Sequence, residues 1–317
     1  MTSKDHGPRL GADPELFVQD LDGNTVPVCG KIGGTKETPL IINHLIEAQY
    51  GIEGGRRNRE GVDKSGNYAI QEDNVMLEFN IPAYKDGSYF HEAITKILTV
   101  LENTVLPQQG IRAKYEVMHT FKPEDIAPFP QAFTIGCLAD MDAYSENGVY
   151  DPVTKTSVGF ERPPFNAAHF GNHRFCGGHL HVQYNHNNVP RHIFAQFMDL
   201  VAELPFLRWD KQKMRRMFYG QPGLYREKPY GIEYRTTSNF WLFKPFRDKW
   251  LGQLTENIYL LARTANTNPE MLKGIYSRID WAEVQNAIKS EDAKLADDLV
   301  DFVRGKLGMY MGPSATR

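Results

Sequence analysis

The sequence has few cysteines, no long apolar run and little net charge. Its three cysteines are scattered over 317 residues, an odd set that does not form a disulfide framework. No apolar stretch approaches the ~20 residues that a membrane-spanning helix needs, and the N-terminus lacks the apolar core of a signal peptide. The net charge of −3 gives no electrostatic case for binding nucleic acid or a membrane surface. We therefore expect a cytoplasmic protein with reduced thiols and without nucleic-acid or membrane partners.

The chain is long enough for one large α+β domain or two smaller ones. Helices are predicted over residues 88–106, with Ser88 as N-cap, and over 191–204. The predicted division is a β-rich domain over 1–245 with an irregular insertion at about 140–173, a helical region over 246–306, and a tail over 307–317.

The most informative segment is Gly-Gly-His-Leu-His at residues 177–181. Read as a strand, it places His179 and His181 on one face and Leu180 and Val182 on the other. A core strand has no packing reason to carry histidine at alternate positions, so the polar face is predicted to look into a site. Two imidazoles suit a metal or phosphate cluster, and the glycines would let a ligand approach the backbone. A pair of hydrogen-bonded structural histidines is the alternative.

Two earlier segments show the same alternation with acidic and amide side chains. Asp13 and Glu15 stand two residues apart at the start of a predicted strand, so their carboxylates point the same way and can bridge hard cations. Over residues 75–81, Glu78 and Asn80 share the face opposite four apolar side chains. A solvated turn and a half-exposed strand are the respective alternatives.

A fourth segment combines a carboxylate with guanidinium groups. Glu233 and Arg235 share a strand face, and Arg226 lies shortly upstream. Alone, such a pair is often a surface salt bridge worth less than ~1 kcal/mol. Beside metal-binding carboxylates, two arginines suit a phosphoryl group in transfer, whose charge must be neutralised from several sides. Arg174, just before the histidines, is a further source of positive charge.

A glycine-rich segment at residues 29–36 carries Lys31 and Lys36. It lacks the residue order of a P-loop, so it is either a loop whose lysines touch phosphate or an ordinary turn. Arg56, Arg57 and Arg59 are interpreted as a solvated charge run, with recruitment of an acidic substrate as the alternative. Glu72 and Asp73 are interpreted as the end of a loop, with membership of the same site as Glu78 as the alternative.

In order and spacing, these motifs resemble the glutamine synthetase-like carboxylate–amine ligases, and more narrowly the phage-associated amidoligase (COOH-NH2 ligase type 2) branch. The resemblance covers residues 11–240. It implies an α+β fold with a curved antiparallel sheet, flanking helices, and a polar face that binds ATP and two or three Mg²⁺ or Mn²⁺ ions. The implied reaction joins a carboxylate-bearing substrate (an amino acid, a peptide or a protein terminus) to an amine through an acyl phosphate. A phage-encoded chain would act in the host-cell cytoplasm.

The resemblance also implies roles for the motif residues. The implied metal ligands are Asp13, Glu15, Glu78, His179 and Glu233; the implied phosphoryl clamp is Arg226 and Arg235; and His181 would lie near ATP. On charge alone, Lys31, Lys36 and Arg174 are further candidates for contact with the nucleotide. Two departures from the family pattern are Asp13, where the best-known members have Glu, and Asn80, where a second carboxylate is expected.

Two other functions remain open at the level of sequence. A metal-dependent hydrolase would explain the histidines and carboxylates, but it leaves the arginines and the lysine-bearing segment without a role. A non-catalytic phage protein would keep the sheet as a binding platform, although most of the metal-ligand positions are filled.

Overall fold

The computed structural model describes residues 7–51, 67–133, 140–154, 156–161 and 171–307. One large antiparallel sheet is covered by helices, and further helices follow it to the end of the described chain. This confirms the predicted α+β class. The specific likeness to the glutamine synthetase sheet stays a prediction, as does the division at residue 245.

The strands follow one another along the chain in this order: β1 (Arg9–Gln19), β2 (Thr25–Val26), β3 (Leu40–Ile41), β4 (Ala69–Asp73), β5 (Met76–Tyr84), β6 (Arg112–Lys114), β7 (Met118–Thr120), β8 (Met141–Asp142), β9 (Val149–Asp151), β10 (Thr156–Val158), β11 (His173–Phe175), β12 (Gly178–Gln183), β13 (Leu224–Lys228) and β14 (Gly231–Tyr234).

The α-helices are α1 (Asn43–Tyr50), α2 (Gly87–Val100), α3 (Leu106–Gln108), α4 (Pro123–Ile126), α5 (Arg191–Met198), α6 (Lys213–Phe218), α7 (Lys244–Thr267), α8 (Pro269–Tyr276), α9 (Trp281–Ser290) and α10 (Ala293–Leu307). Short π-helical segments continue α2 and α5. None of the helices in the described part of the chain is long and apolar enough to cross a membrane.

Strand β1 lies at the centre of the sheet, whose order is β3-β4-β5-β1-β12-β14-β13-β8. It pairs with β5 on one side, where Glu15 lies opposite Glu78, and with β12 on the other, where Asp13 lies opposite His179. Strand β14 follows next, with Glu233 opposite His181. Directly opposed residues share a face, so this register gathers distant sequence motifs on one side of the sheet.

The opposite face of the sheet is apolar and forms the core. Leu16, Leu77, Leu180 and Ile232 are fully buried there, and α2, α5 and α7 pack against it. The same hydrophobic cluster includes side chains from α7 to α10. The region from residue 246 onward consists of helices, as expected, and the side chains of these helices pack in the same core as the apolar face of the sheet.

Helix α2 begins one residue earlier than predicted, so the assignment of Ser88 as N-cap is wrong. The cap is Asp86, whose carboxylate accepts a hydrogen bond from the Ser88 backbone N–H at 2.7 Å. Aspartate and serine are both good N-caps, so residue type alone does not separate the two positions. Glycine is needed at residue 87 because a Cβ there would lie 2.7 Å from Thr255 Oγ1 of the adjoining helix α7.

The predicted insertion at about 140–173 contains short strands in its described parts. Strand β8 joins the edge of the main sheet beside β13, and β9 pairs with β10 as a separate hairpin. The arginine cluster predicted at residues 56–59 lies outside the described residues.

Gly178 provides a test of the close packing beneath the sheet. A Cβ there would lie 2.1 Å from the Ser238 carbonyl oxygen and 2.4 Å from Trp241 Nε1. We expect Gly178→Ala to lower the free energy of unfolding by about 1–3 kcal/mol, the usual cost of overpacking. The matched control is Gly252→Ala in α7, where the space is open and a gain of up to about 1 kcal/mol is expected. Urea denaturation measures both, and equal stability of the two variants would contradict the packing.

Candidate functional site

Five neighbouring strands, β4, β5, β1, β12 and β14, present polar side chains on the face opposite the core. The register and the two-residue alternation of strands align them, and β13 extends the same face with Arg226 opposite Glu233. The polar side chains of this face, hereafter the polar face, are Gln71, Asp73, Glu78, Asn80, Asp13, Glu15, His179, His181, Glu233, Arg226 and Lys228.

Three of these side chains form the first cluster, hereafter the histidine cluster: Asp13, His179 and Glu233. One ligand atom from each lies within 4.8 Å of the others. His179 Nδ1 is 3.7 Å from an Asp13 oxygen and 3.9 Å from a Glu233 oxygen. His181 lies beside the cluster, with Nε2 2.9 Å from Asp13. This mixed oxygen and nitrogen set suits a divalent cation such as Mg²⁺ or Mn²⁺.

The second cluster, hereafter the carboxylate cluster, consists of Glu15, Asp73 and Glu78, whose ligand atoms also lie within 4.8 Å of one another. Glu15 accepts a 2.6 Å hydrogen bond from the Gly177 backbone N–H, and Glu78 accepts a 2.8 Å bond from Gln71. These bonds fix the two glutamates but leave three carboxyl groups close together, two of them buried. Hard oxygen donors in this arrangement match the preference of Mg²⁺.

Burial and mutual repulsion perturb the carboxylate cluster strongly. Burial, reinforced by the charge of Asp73, raises the pKa of Glu15 to about 7. Burial, followed by the charges of Asp13, Asp73 and Glu15, raises the pKa of Glu78 well above its ordinary value. Without a cation, the cluster therefore holds protons at neutral pH that a bound cation would displace.

The other half of the polar face is rich in cations. Glu233 contacts Arg235, lies 3.4 Å from Arg226 Nη1 and 2.7 Å from Lys228 Nζ. Burial alone would raise the pKa of Glu233, but Arg235 and the neighbouring histidines and Arg226 hold it well below its ordinary value. Glu233 is therefore ionised, and it ties the three cationic side chains together.

Asp140 joins the two arginines from the other side. Its Oδ1 lies 3.2 Å from Arg226 Nε and 3.0 Å from Arg235 Nε. The guanidinium groups are thereby held between Asp140 and Glu233, side by side despite their like charge. The structure thus brings together both arginines that the sequence singled out.

The pKa values of the two histidines are shifted in opposite directions. Burial and the adjacent Arg235 lower the pKa of His179 well below its ordinary value, so this ring is neutral. Burial also acts to lower the pKa of His181, but the Asp13 carboxylate outweighs it and the pKa is raised. His181 also shares a hydrogen bond with the Tyr230 hydroxyl through Nδ1. His179 is therefore in the uncharged form that metal ligation requires.

The glycine pair before the histidines serves packing, which corrects the expectation that it admits a ligand to the backbone. A Cβ at Gly177 would lie 2.2 Å from His179 Nε2, so the imidazole ring occupies that space. Gly178 lies against Ser238 and Trp241, and the Trp241 indole N–H donates to the Gly178 carbonyl at 3.1 Å. Both glycines are needed to seat the histidine strand.

A cleft of about 590 Å³ opens beside both clusters. Glu78 and Asn80 line it from β5, His181 from β12, and Lys36 from the loop before β3. Its wall also includes apolar side chains such as Ile81. The cleft is large enough for a small-molecule substrate that reaches the polar face.

The candidate nucleotide-contacting cations fall in different places. Lys36 lines the cleft and lies 3.8 Å from Asp73. Lys31 lies in the glycine-rich loop, and it does not line the cleft. The loop is fixed by Glu72, whose carboxylate accepts hydrogen bonds from three backbone N–H groups, those of Gly30, Ile32 and Gly33.

Arg174 is not brought to the polar face. Its guanidinium donates to Asn74 and to backbone carbonyls of Ala132, Gly171 and His173. These bonds hold β11 against the β4–β5 turn. We therefore leave Arg174 out of the site proposed below.

The sequence carries no functional signal at Asp140, at Lys228 or at Tyr219, whose hydroxyl contacts His179 and Arg235. For Asp73 the sequence favours a loop end over membership of the Glu78 site, but Asp73 ends β4 beside Glu78, and Asn74 with φ 57° makes the tight turn into β5. That asparagine was a usable turn signal. Asp140 and Tyr219 lie in irregular segments without periodicity, so nothing in the local sequence indicated them.

Comparison with known proteins gives one family match. Residues 166–298 match the family model described as Phage phiEco32-like COOH.NH2 ligase-type 2. No curated protein and no solved structure gives a significant match. The matched segment contains His179, His181, Arg226, Glu233 and Arg235, whereas Asp13, Glu15 and Glu78 precede it. The match supports the resemblance noted in the motifs: residues 166–298 are similar to the phage phiEco32-like COOH.NH2 ligase-type 2 family, whose name describes carboxylate–amine ligases.

Proposed function

We propose that this protein is an ATP-dependent carboxylate–amine ligase that forms an amide bond through an acyl phosphate. The observation that carries the proposal is the polar face itself, where two acidic clusters and an arginine pair lie side by side next to a cleft. A substrate carboxylate oxygen would attack the terminal phosphorus of ATP, and ADP would leave. The amine nitrogen would then attack the acyl carbon, phosphate would leave, and the amine proton would pass to solvent.

Divalent cations fit the two clusters on the chemistry of the side chains. Glu15, Asp73 and Glu78 offer only oxygen donors, and the raised pKa values of Glu15 and Glu78 reflect burial beside other negative charges. Asp13, His179 and Glu233 would hold a second cation with one nitrogen donor. Bound cations would neutralise phosphate oxygens and polarise the phosphoryl group. Asn80, opposite Asp13 by register, offers a neutral oxygen where the family pattern has a second carboxylate on this strand.

Arg226 and Arg235 are the proposed phosphoryl clamp. Asp140 and Glu233 hold their guanidinium groups in fixed positions, so little reorganisation is needed when a phosphate arrives. Arg235 is almost fully buried, which strengthens its field at the site. Their role would be to bind and orient the transferred group and to neutralise its developing charge.

The cleft is the proposed entry for the carboxylate-bearing substrate. It reaches the carboxylate cluster at Glu78 and the histidine cluster through His181. Lys36 at its wall would supply a positive charge for an anionic substrate or nucleotide. A metal-dependent hydrolase would use the same acidic clusters, but it gives no role to the paired guanidinium groups. We therefore favour the ligase.

The first prediction concerns the reaction. With ATP, Mg²⁺, an amino-acid mixture as carboxylates and hydroxylamine as amine, we expect ADP and hydroxamate in equal amounts. Glu233→Gln should reduce the rates of ADP and hydroxamate formation about 100-fold or more. The substitution removes a proposed metal ligand and the negative charge that pairs with Arg226, Lys228 and Arg235. Glu227→Gln, an exposed position on the same strand as Arg226, is the matched control and should keep its activity. Amide or ester hydrolysis without ATP would favour the hydrolase instead.

The second prediction concerns the arginine pair. Arg226→Lys and Arg235→Lys keep the charge but lose the planar fork that Asp140 and Glu233 hold. We expect each to lower kcat for ADP formation by about 100–1,000-fold. Arg112→Lys, at an exposed position on β6, serves as the control. Wild-type kcat in both site variants would argue against a phosphoryl clamp.

The third prediction concerns pH. Glu15 and Glu78 have raised pKa values in the folded protein, so folding binds protons and the metal-free protein should lose stability as pH rises. For Glu15 this contribution is complete below its ordinary pKa of 4.5 and is lost as pH passes about 7. Added Mn²⁺ should stabilise the protein increasingly over the same range, because it binds the deprotonated cluster.

Thermal melting from about pH 5 to about pH 8, with and without Mn²⁺, measures this effect. The Glu15→Gln/Glu78→Gln double variant should lose both the decline with pH and the Mn²⁺ response of the carboxylate cluster. An identical pH profile in wild type and double variant would show that the cluster does not titrate as described.

A further inference from the structure

Glu15 lies where the pairing of β1 with β12 ends, and its hydrogen bonds depart from the regular ladder. One step beyond the last pair of the two strands, Pro14 with Gly178, Glu15 faces Gly177. Two residues in such a hydrogen-bonded pair normally each donate an N–H to the carbonyl of the other. Here the Glu15 N–H donates to the Gly177 carbonyl at 2.9 Å, as expected. The Gly177 N–H donates instead to the Glu15 carboxylate, at 2.6 Å.

The Glu15 carbonyl accepts its hydrogen bond from the side chain of Asn239. Asn239 Nδ2 donates to the Glu15 carbonyl at 2.9 Å and to the Glu116 carbonyl at 3.1 Å. Because both partners can only accept, the side-chain NH₂ and not the side-chain oxygen must face them. Both amide hydrogens are thereby used. With this donor at the Glu15 carbonyl, the Gly177 N–H is available to the carboxylate.

The side-chain oxygen of Asn239 shows that this arrangement is not the simplest one for stability. Asn239 is fully buried, and within the described part of the chain its Oδ1 has no hydrogen-bond partner. An unpaired buried acceptor is destabilising. Regular pairing with Gly177 would satisfy the same Glu15 carbonyl with a group that the backbone already provides. What the arrangement adds is the bond from the Gly177 N–H to the Glu15 carboxylate.

The segment that contains Asn239 is firmly held. Asn239 begins a short 3₁₀ helix (Asn239–Leu242), and Ser238 is the N-cap of this helix. The N–H and the hydroxyl of Ser238 both donate to the carboxylate of Asp210, which is fully buried. Asn239 also lies four residues after Arg235. One short segment therefore carries half of the proposed phosphoryl clamp and contacts the backbone of the carboxylate cluster.

We propose that Asn239 is a positioning residue for Glu15: it replaces the Gly177 amide at the Glu15 carbonyl, so that this amide can hold the Glu15 carboxylate in the carboxylate cluster. Without the Asn239 donor, the Gly177 N–H returns to the Glu15 carbonyl and the carboxylate loses its backbone partner. The consequence for a cation rests on the proposed function. The exchange of hydrogen-bond partners is a property of the metal-free protein.

Amide NMR of the metal-free protein tests this exchange. Labelling with ¹³C-carbonyl cysteine and ¹⁵N-glycine selects the Cys–Gly peptide bonds of the sequence, which are those at Gly30 and Gly177. The Gly30 N–H also donates to a carboxylate, that of Glu72 at 2.8 Å, so it is an internal reference that Gly30→Ala assigns. We expect Asn239→Leu to move the Gly177 amide proton upfield, because its acceptor changes from a carboxylate to a carbonyl. An unmoved Gly177 signal would overturn the proposal.

Two further variants make this result specific. Glu15→Gln keeps Asn239 and should also move the Gly177 amide proton upfield; no movement would overturn the proposal even if Asn239→Leu does not fold. The matched control is Asn257→Leu in α7, since Asn257 is equally buried and its Nδ2 donates to the Val201 carbonyl at 3.2 Å. This control should leave both glycine signals in place. A Gly177 shift as large as that in Asn239→Leu would overturn the specific role of Asn239.

Titration with Mn²⁺, followed by the EPR signal of the free ion, tests the consequence for binding. Asn239→Leu should weaken Mn²⁺ at the carboxylate cluster about 10- to 100-fold, the usual effect of a partner that orients a ligand. Asn257→Leu should leave the affinity unchanged, and the Glu15→Gln/Glu78→Gln double variant identifies the binding due to this cluster. Wild-type affinity in Asn239→Leu would overturn the role of Asn239 in cation binding. Absence of Mn²⁺ binding by the wild type would instead overturn the proposed function, and the NMR result would still decide the positioning.

Discussion

The antiparallel pairing of β1 with both β5 and β12 is the constraint on which the site depends. It sets Glu15 opposite Glu78 on one side and Asp13 opposite His179 on the other. A shift of either pairing by one residue would turn every side chain of the shifted strand to the wrong face. Burial of the apolar face resists such a shift, since Leu16, Leu77 and Leu180 would then have to leave the core. The hydrophobic core therefore specifies the geometry of the polar groups on the other side of the sheet.

The polar face is divided into an acidic half and a basic half that meet at β1 and β12. In the acidic half, burial and repulsion raise the pKa of Glu15 and Glu78. In the basic half, the surrounding cations lower the pKa of Glu233, although it is equally buried. Similar carboxylates thus carry different charge states a few strands apart. A polyanion bridging the two halves would find cations from solution at one end and guanidinium groups of the protein at the other.

The sequence predicted the polar-faced strands well because strand alternation is a local property. His179 with His181, Glu78 with Asn80, and Asp13 with Glu15 needed only the two-residue period. Asp140 could not be predicted, because its contact with Arg226 and Arg235 depends on a chain path that brings β8 to the sheet edge. Arg174 shows the converse. Its position just before the histidines favoured the site, but its strand, β11, pairs with β7 outside the main sheet. There its guanidinium donates hydrogen bonds to backbone carbonyls.

Glu72 and Asp73 are adjacent in sequence, yet they do different things. Glu72 holds the glycine-rich loop through three backbone amides, and Asp73 completes the carboxylate cluster beside Lys36. The loop and the cluster consequently share one short length of backbone at the end of β4. Any displacement of that strand end would carry the rim of the cleft and one carboxylate of the cluster together. The position of the Asp73 carboxylate and the position of the glycine-rich loop are therefore set by the same short segment of backbone.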